Sequence, residues 1–215
     1  EIAWSSAPST AAPAPSSPAP ATESVPVTPS AGSAEGLLPG EGCPGIPARQ
    51  AEFAAGRRAA RAAMVQIGAT PGAIPMGPDR APCWPPGVIG SISHGGAACL
   101  AAVTRAGSLA ALGIDIEPDE DLPPDLWTEV LSPSEAEWCE RQPTPGRAAR
   151  LIFSAKEAAF KAQYPLSRQM FGFDAMNITI TADYLRAIFA QPAAPFAAGD
   201  RISGRFVRTQ GLILT

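Results

Sequence analysis

The stretch FSAKEAAFK, residues 153–161, is the most informative helical segment of the sequence. Its alanines and apolar residues predict the centre of a helix over residues 147–162 that packs against another part of the protein. Glu157 and Lys161 are one helical turn apart and share a face, with Lys156 on its flank. An isolated pair of this kind is usually a surface ion pair. Because these are the only two lysines of the chain, we interpret them, with Glu157, as a functional cluster at one exposed seam.

A second stretch, GIDIEP at residues 113–118, ends a predicted strand that begins at residue 109. Alternation places its apolar residues on one face and the carboxylates of Asp115 and Glu117 on the other. Oxygen ligands of this kind suit Mg²⁺, which takes one or two carboxylates together with waters and phosphate oxygens of a substrate. The alternative interpretation is a solvated strand edge that ends at Pro118.

A third stretch, GSISHGG at residues 90–96, contains the only histidine of the chain, His94. Ser93 and His94 end a predicted strand, and the two glycines after them let the backbone approach a ligand closely. The hydroxyl, the imidazole and nearby amides therefore form a candidate phosphate cradle. The alternative is a histidine with a purely structural role.

The other elements predict an α+β fold. A helix over residues 48–68 carries Arg49, Arg57 and Arg61 on its polar face, and strands over residues 88–93 and 99–104 join the strand over residues 109–117 in one small antiparallel sheet. A helix over residues 132–141 follows the helix signal Ser132-Pro133-Ser134-Glu135. Further strands are predicted near residues 177–181, 184–189, 205–208 and 212–214.

Composition excludes several classes of protein. Residues 1–36 are dominated by Ala, Pro and Ser and contain no Lys or Arg, so we expect a disordered tail. No secretory signal or apolar run long enough to span a membrane occurs, which predicts a cytoplasmic protein. The net charge of −4 without a basic tract argues against nucleic acid as a partner. The four cysteines form no Cys-x-x-Cys pair and are expected to be reduced.

In order and spacing, the three stretches resemble the signature of the 4'-phosphopantetheinyl transferases of the surfactin and enterobactin type, and most of all the actinobacterial, enterobactin synthase component D-like branch. The resemblance covers roughly residues 37–215 and extends to RQAEFAAGR at residues 49–57 and PCWPPG at residues 82–87. It implies two similar lobes related by pseudo-twofold symmetry, each a small antiparallel sheet packed with helices. Residues 37–112 would bind the nucleotide of coenzyme A, and residues 113–215 would carry the metal and the catalytic carboxylates.

Residue roles follow from the same resemblance. Arg49 and Arg57 would hold the nucleotide end of coenzyme A, including its 3'-phosphate. Ser93 and His94 would contact its phosphates. The metal ligands for Mg²⁺ would be Asp115, Glu117 and Glu157. Lys161 would bind the pyrophosphate, with Lys156 as a second candidate, and Glu157 would accept the proton of the attacking serine.

The implied reaction transfers the 4'-phosphopantetheine arm of coenzyme A to a serine of an apo acyl or peptidyl carrier protein and releases 3',5'-ADP. We expect a monomer whose carrier binds near residues 127–138 and 164–173, unless these residues only pack in the core. Two alternatives stay open, a non-catalytic relative that docks carriers and a Mg²⁺-dependent nucleotide hydrolase. The chain lacks the Gly-x-x-x-x-Gly-Lys-Ser/Thr loop of one large hydrolase class.

Two departures from the family pattern concern the N-terminal half. Met76 stands where the family commonly has a basic residue before glycine, so Arg80 is the candidate to supply that phosphate contact. The segment between Leu38 and Arg49 is shorter and richer in Gly and Pro than the first helix of the family, which predicts a damaged or mobile N-terminal lobe.

Overall fold

The computed structural model describes residues 36–96, 98–107 and 109–215. The tail expected at residues 1–36 lies outside the described residues, apart from Gly36 at its end. The helices are α1 (Pro47–Gln66), α2 (Trp127–Val130), α3 (Pro133–Glu140) and α4 (Pro145–Ser167). The strands are β1 (Val88–Gly95), β2 (Ala98–Arg105), β3 (Ile116–Pro118), β4 (Met176–Thr181), β5 (Tyr184–Phe189), β6 (Arg201–Arg205), β7 (Val207–Thr209) and β8 (Leu212–Leu214).

The helices begin where local chemistry predicts. Pro47 occupies the first turn of α1, and Gly68, with φ of +67°, follows its end. Ser132 caps α3 in a complete capping box with Glu135. Both predicted helices are confirmed. The third, α4, runs five residues beyond the predicted end at residue 162, continues through Pro165 and ends at Arg168, whose φ is 56°.

The sheets are small and antiparallel, which confirms the α+β class. β1 and β2 form a two-stranded hairpin, and the other described strands form two sheets in the orders β3-β8-β7 and β4-β5-β6. The predicted strand over residues 205–208 is wrong in its boundaries, because the chain passes from one three-stranded sheet to the other at Phe206. The strand predicted over residues 184–189 agrees with β5.

The prediction that residues 109–117 form a third strand beside the hairpin is also wrong. Only Ile116–Pro118 form a strand, and this strand pairs with β8. Asp115 extends that pairing, since its backbone exchanges two hydrogen bonds with Thr215. Towards β1, the amide of Ile114 donates to the side chain of Ser91 rather than to a main-chain carbonyl, at 3.1 Å. Local alternation predicted an extended segment but not its neighbour.

Three apolar clusters hold these elements together. One lies between α1, β2 and Ile74, and another joins the hairpin to Leu112, Ile114 and Ile116. The third is the core of the C-terminal half, where α3 and α4 pack on β4 and β5. Within the described part of the chain, none of the helices is long and apolar enough to cross a membrane.

Replacing Gly113 with Ala is expected to destabilise the protein by about 1–3 kcal/mol. A Cβ at this position would lie 2.0 Å from the carbonyl oxygen of Ala158 and 2.5 Å from the amide nitrogen of Ala162, so the segment before β3 would have to move away from α4. Urea denaturation measures the change. The control is Gly42→Ala, where nothing lies within 4 Å of the new Cβ. Equal midpoints for the two variants would contradict this packing.

Candidate active site

Residues 113–118 lie along α4, and this contact brings the predicted acids and bases together. Gly113 packs on the backbone of α4 near its end, where a larger residue has no room. Two positions later, Asp115 pairs with Lys161, and two positions further, Glu117 pairs with Arg150. The segment and the helix run in opposite directions. Asp115 therefore meets Lys161 near the end of α4, and Glu117 meets Arg150 closer to its start.

Asp115 is the centre of the site, with 4% of its surface exposed. Its Oδ1 accepts hydrogen bonds from the hydroxyl of Ser93 at 2.8 Å and from Nζ of Lys161 at 2.6 Å. Lys161 also donates to the oxygen of Ser93 at 3.0 Å. Oδ2 of Asp115 is buried and has no hydrogen-bond partner among the described residues. Because an unpaired buried carboxylate oxygen is costly, this atom is suited to receive a cation.

Glu157 and Glu117 stand beside this centre as half-buried carboxylates. Burial raises the pKa of Glu157 above its usual value; Lys161 lowers it and Asp115 raises it, with a net upward shift. Burial likewise raises the pKa of Glu117, and the charge of Asp115 adds to this, although Arg150 and Lys161 oppose it. Each carboxylate therefore holds a proton more readily than in water, and an additional cation nearby would favour the ionised forms.

These features fit Mg²⁺ only in part. The unpaired Oδ2 of Asp115 and the two neighbouring carboxylates offer the oxygen donors that a hard cation prefers. However, Oε2 of Glu117 lies 3.1 Å from Nη1 of Arg150. In the described ranges of the chain, no three side chains of His, Cys, Asp or Glu are grouped so that they could hold a metal ion. Asp115 and Glu157 are thus the better placed pair.

Comparison with known proteins gives the family. A family model described as the 4'-phosphopantetheinyl transferase N-terminal domain matches residues 44–104, and one described as the 4'-phosphopantetheinyl transferase superfamily matches residues 111–198. The chain is 39% identical over 178 residues to the 4'-phosphopantetheinyl transferase Svp of Streptomyces mobaraensis, covering 79% of this chain and 72% of Svp.

Two further relatives agree. The 4'-phosphopantetheinyl transferase Npt of Nocardia iowensis is 34% identical over 179 residues, which covers 78% of this chain and 81% of Npt. Enterobactin synthase component D of Salmonella typhimurium is 38% identical over 172 residues, covering 75% of this chain and 66% of the relative. The chain belongs to the 4'-phosphopantetheinyl transferase family. The family predicted from the three stretches is therefore confirmed.

In this transferase, Ser93 and His94 lie on opposite faces of β1. Ser93 is buried against Asp115, whereas His94 has 58% of its side chain exposed, with Nδ1 4.0 Å from a carboxylate oxygen of Glu52 on α1. Neighbouring residues of a strand point to opposite sides. The two side chains therefore do not form the single cradle expected from the sequence, and Ser93 belongs with the carboxylate centre.

The arginines of α1 also differ from one another. Arg49 is exposed at the start of the helix. Arg57 was expected on the polar face, but it is only 6% exposed. Its Nε donates to the carbonyl of Ile74 at 2.8 Å, and its guanidinium stacks on the ring of Phe53 at 3.9 Å. Of the two arginines predicted to bind the nucleotide, Arg57 is therefore buried and held by contacts on two sides, and Arg49 is exposed.

The expectation that Lys156 and Lys161 share an exposed seam is wrong for Lys156. Lys156 is 4% exposed, and its Nζ lies 2.8 Å from Oε2 of Glu135. The same ammonium donates to the carbonyls of Val130 and Phe173, each at 2.8 Å. These three partners use all of its donors. Lys161 is 27% exposed and is the lysine that reaches the carboxylate centre.

A cavity of about 240 Å³ opens beside Glu157. Its lining is mainly apolar and comes from α4 and from the segment before β4: Lys156, Glu157, Phe160, Met170, Phe171, Gly172, Phe173 and Met176. Met170, in one of the two segments predicted to meet a carrier, is 74% exposed. In the other segment, Trp127 and Trp138 pack partly buried against the core, so core packing explains much of that segment.

Sequence reasoning missed Arg150 and Asp79. Arg150 lies seven residues before Glu157, which is two turns along the same face of α4. This spacing could have indicated that Arg150 lies on the same side of the helix as the site. Asp79 connects the halves of the chain, because its Oδ2 accepts from Tyr164 and Arg168 at the end of α4, each at 3.0 Å. No local pattern predicts that contact, since its partners are 85 and 89 residues away.

Proposed function

We propose that this transferase moves the 4'-phosphopantetheine arm of coenzyme A to a serine of an apo acyl or peptidyl carrier protein, with Mg²⁺ as cofactor. The observation that carries the proposal is the Asp115 centre. One carboxylate oxygen is held by Lys161 and Ser93 while the other is buried and unpaired. Such a centre holds one cation at one carboxylate oxygen and offers the other, unpaired oxygen to a second cation, and the charge of a pyrophosphate substrate calls for both.

Recognition of coenzyme A falls to the N-terminal half in this proposal. Arg49 and Arg57 bind the nucleotide end, and Arg57 binds the 3'-phosphate, since a fixed guanidinium suits a phosphate through paired hydrogen bonds. His94 is exposed at the end of β1 and contacts a phosphate oxygen, while Ser93 acts from the centre. This division is supported by the burial of Arg57 and by the opposite orientations of the two β1 side chains.

The chemical step is attack by the carrier serine on the β-phosphorus of coenzyme A. Glu157 accepts the proton of the serine hydroxyl, directly or through a water. The new bond joins the serine oxygen to phosphorus, and the bond from phosphorus to the bridging oxygen breaks, so that 3',5'-ADP leaves. Lys161 donates to a pyrophosphate oxygen and offsets the charge of the leaving group. The raised pKa of Glu157, caused by its burial, makes it a stronger proton acceptor than an ordinary glutamate and supports this role.

Asp115 and Glu157 would hold Mg²⁺, with Glu117 as the third ligand once its carboxylate leaves Arg150. When bound, Mg²⁺ neutralises the pyrophosphate charge. The apolar cavity beside Glu157 supports the choice of substrate, because the pantetheine arm extends from the same phosphate and its methyl and methylene groups can pack against this lining. Carrier residues then approach from the side of Met170.

Intact mass spectrometry tests this function. The purified chain, coenzyme A, Mg²⁺ and an apo carrier protein should together raise the carrier mass by one phosphopantetheine arm. In the same assay Glu157→Gln should slow this mass change strongly, and Glu140→Gln is its matched control, since Glu140 is exposed at the end of α3 and lies outside both segments predicted to meet the carrier. An unchanged carrier would favour a non-catalytic docking relative. Cleavage of coenzyme A without transfer would favour a hydrolase.

Four further features of the protein are part of this proposal. They are the pseudo-twofold relation of the two lobes, their boundary at residue 112, the monomeric state and the cytoplasmic location. Superposition of residues 37–112 on residues 113–215, and light scattering of the purified protein, test the first and the third directly.

A further inference from the structure

The carboxylate of Glu41 lies buried in the short segment before α1, with none of its side chain exposed. Nη1 of Arg61 contacts both of its oxygens, at 2.6 and 2.8 Å. The amide of Leu38 donates to Oε2 and the amide of Ile74 donates to Oε1, each at 2.8 Å. Burial raises the pKa of Glu41, but these donors lower it by more, so the carboxylate stays charged. Glu41 therefore joins three separate parts of the N-terminal half.

Ile74 connects this carboxylate to Arg57. Its amide is held by Glu41, and its carbonyl accepts the hydrogen bond from Nε of Arg57 at 2.8 Å. Ile74 itself has none of its surface exposed, so its backbone has little freedom to shift. The path from Glu41 to Arg57 thus consists of two short hydrogen bonds through one buried residue. Burial lowers the pKa of Arg57, and the negative charge of Glu41 opposes part of that shift.

The orientation of Arg57 depends on this path. One flat face of the guanidinium lies on Phe53 at 3.9 Å, and the bond from Nε to Ile74 sets the rotation of the plane above that ring. A guanidinium binds a phosphate through two parallel N–H groups only when its plane is correctly oriented. Displacement of Ile74 would leave Arg57 charged and stacked but turned away from its ligand.

We propose that Glu41 is a positioning residue for nucleotide recognition, which through Ile74 orients Arg57 and so sets the preference for coenzyme A over dephospho-coenzyme A. This inference rests on the assignment of Arg57 to the 3'-phosphate made above. Glu41 lies outside residues 44–104, the part matched by the N-terminal family model. It belongs to the segment between Leu38 and Arg49, whose composition predicted a damaged or mobile N-terminal lobe. The four contacts of Glu41 instead connect that segment to α1 and Ile74.

Binding of coenzyme A and of dephospho-coenzyme A to Glu41→Gln, measured by calorimetry without a carrier, tests this role. Gln keeps the shape of Glu but loses the charge that holds Arg61 and the amide of Ile74. We expect coenzyme A to bind about tenfold more weakly, the size of one charge-assisted hydrogen bond, while dephospho-coenzyme A binds nearly as before. Glu140→Gln, on the exposed end of α3, should change neither affinity. Equal weakening of both ligands would show that Glu41 only supports the fold.

Three further variants complete the test. Arg61→Met removes the cation that pairs with Glu41, and it should reduce the preference for coenzyme A over dephospho-coenzyme A as Glu41→Gln does. If Glu41→Gln fails to fold, an unchanged preference in Arg61→Met overturns the inference. Arg57→Ala should abolish the preference, and the double variant with Glu41→Gln should be no worse than Arg57→Ala alone. Additive losses would contradict a path through Arg57. A preference retained in Arg57→Ala would instead refute the assignment of the 3'-phosphate to Arg57.

Discussion

Glu157→Gln is expected to lower the transfer rate by roughly 10²–10⁴-fold, and saturating Mg²⁺ should not restore it. The substitution removes both the proposed base and a proposed metal oxygen. Burial raises the pKa of Glu157 and a bound Mg²⁺ would lower it, so the wild-type rate should rise with pH as this carboxylate ionises. The variant should lack that rise. Initial rates of carrier modification, measured across pH and metal concentration, check both expectations.

Asp115→Asn separates metal binding from proton transfer. Its amide oxygen can still accept from Lys161 and Ser93, but an amide nitrogen replaces the unpaired carboxylate oxygen. The Mg²⁺ concentration needed for half-maximal rate should therefore rise, and excess metal should restore part of the activity. If excess Mg²⁺ also restored the activity of Glu157→Gln, Glu157 would be only a metal ligand and not the proton acceptor. Wild-type rates for both variants would refute the whole site.

Lys156→Met is expected to destabilise the protein by about 3–5 kcal/mol, because it leaves the buried carboxylate of Glu135 without its cation. Glu135 is 3% exposed, and its carboxylate already accepts hydrogen bonds from the backbone amides of Ser132 and Ile178, at 2.7 and 2.6 Å. The two amides do not replace a full positive charge. Urea or guanidinium denaturation, followed by circular dichroism, measures the loss.

The matched control is Arg141→Met, which removes a Glu–Arg pair of the same kind from the surface of α3. Arg141 and Glu137 are 60% and 70% exposed, so we expect a change of less than about 0.5 kcal/mol. The double variant Lys156→Met with Glu135→Gln should be more stable than the two separate losses predict, since no unpaired buried charge remains. A Lys156→Met protein that is stable but fails to transfer the arm would indicate that Lys156 binds the substrate pyrophosphate.

Some features of the fold follow from neighbouring residues alone, and these were predicted well. The start of α3 depends on Ser132 and Glu135, which are three residues apart. The hairpin of β1 and β2 closes through a short turn near Gly96, whose φ is +58°. The order of GSISHGG, GIDIEP and FSAKEAAFK was enough to recognise the family, because each stretch carries its chemistry within a few positions.

Other features depend on contacts between distant residues, and there prediction failed. Alternation gave Asp115 and Glu117 a common side, but only the fold paired one with Lys161 and the other with Arg150. Lys156 and Lys161 lie five residues apart on α4, yet one meets Glu135 in the core and the other meets Asp115. A helical position five residues along faces a different direction. What lies in that direction is set by tertiary packing.

The family, the α+β class and the residue types of the site therefore follow from the amino-acid sequence. Which of those residues meet follows from the tertiary fold, because burial and pairing depend on elements far apart in the chain. Glu41 shows the difference clearly. Nothing adjacent to it indicates a role, and its partners Arg61 and Ile74 are 20 and 33 residues away. Only the folded chain brings three donors to one buried carboxylate.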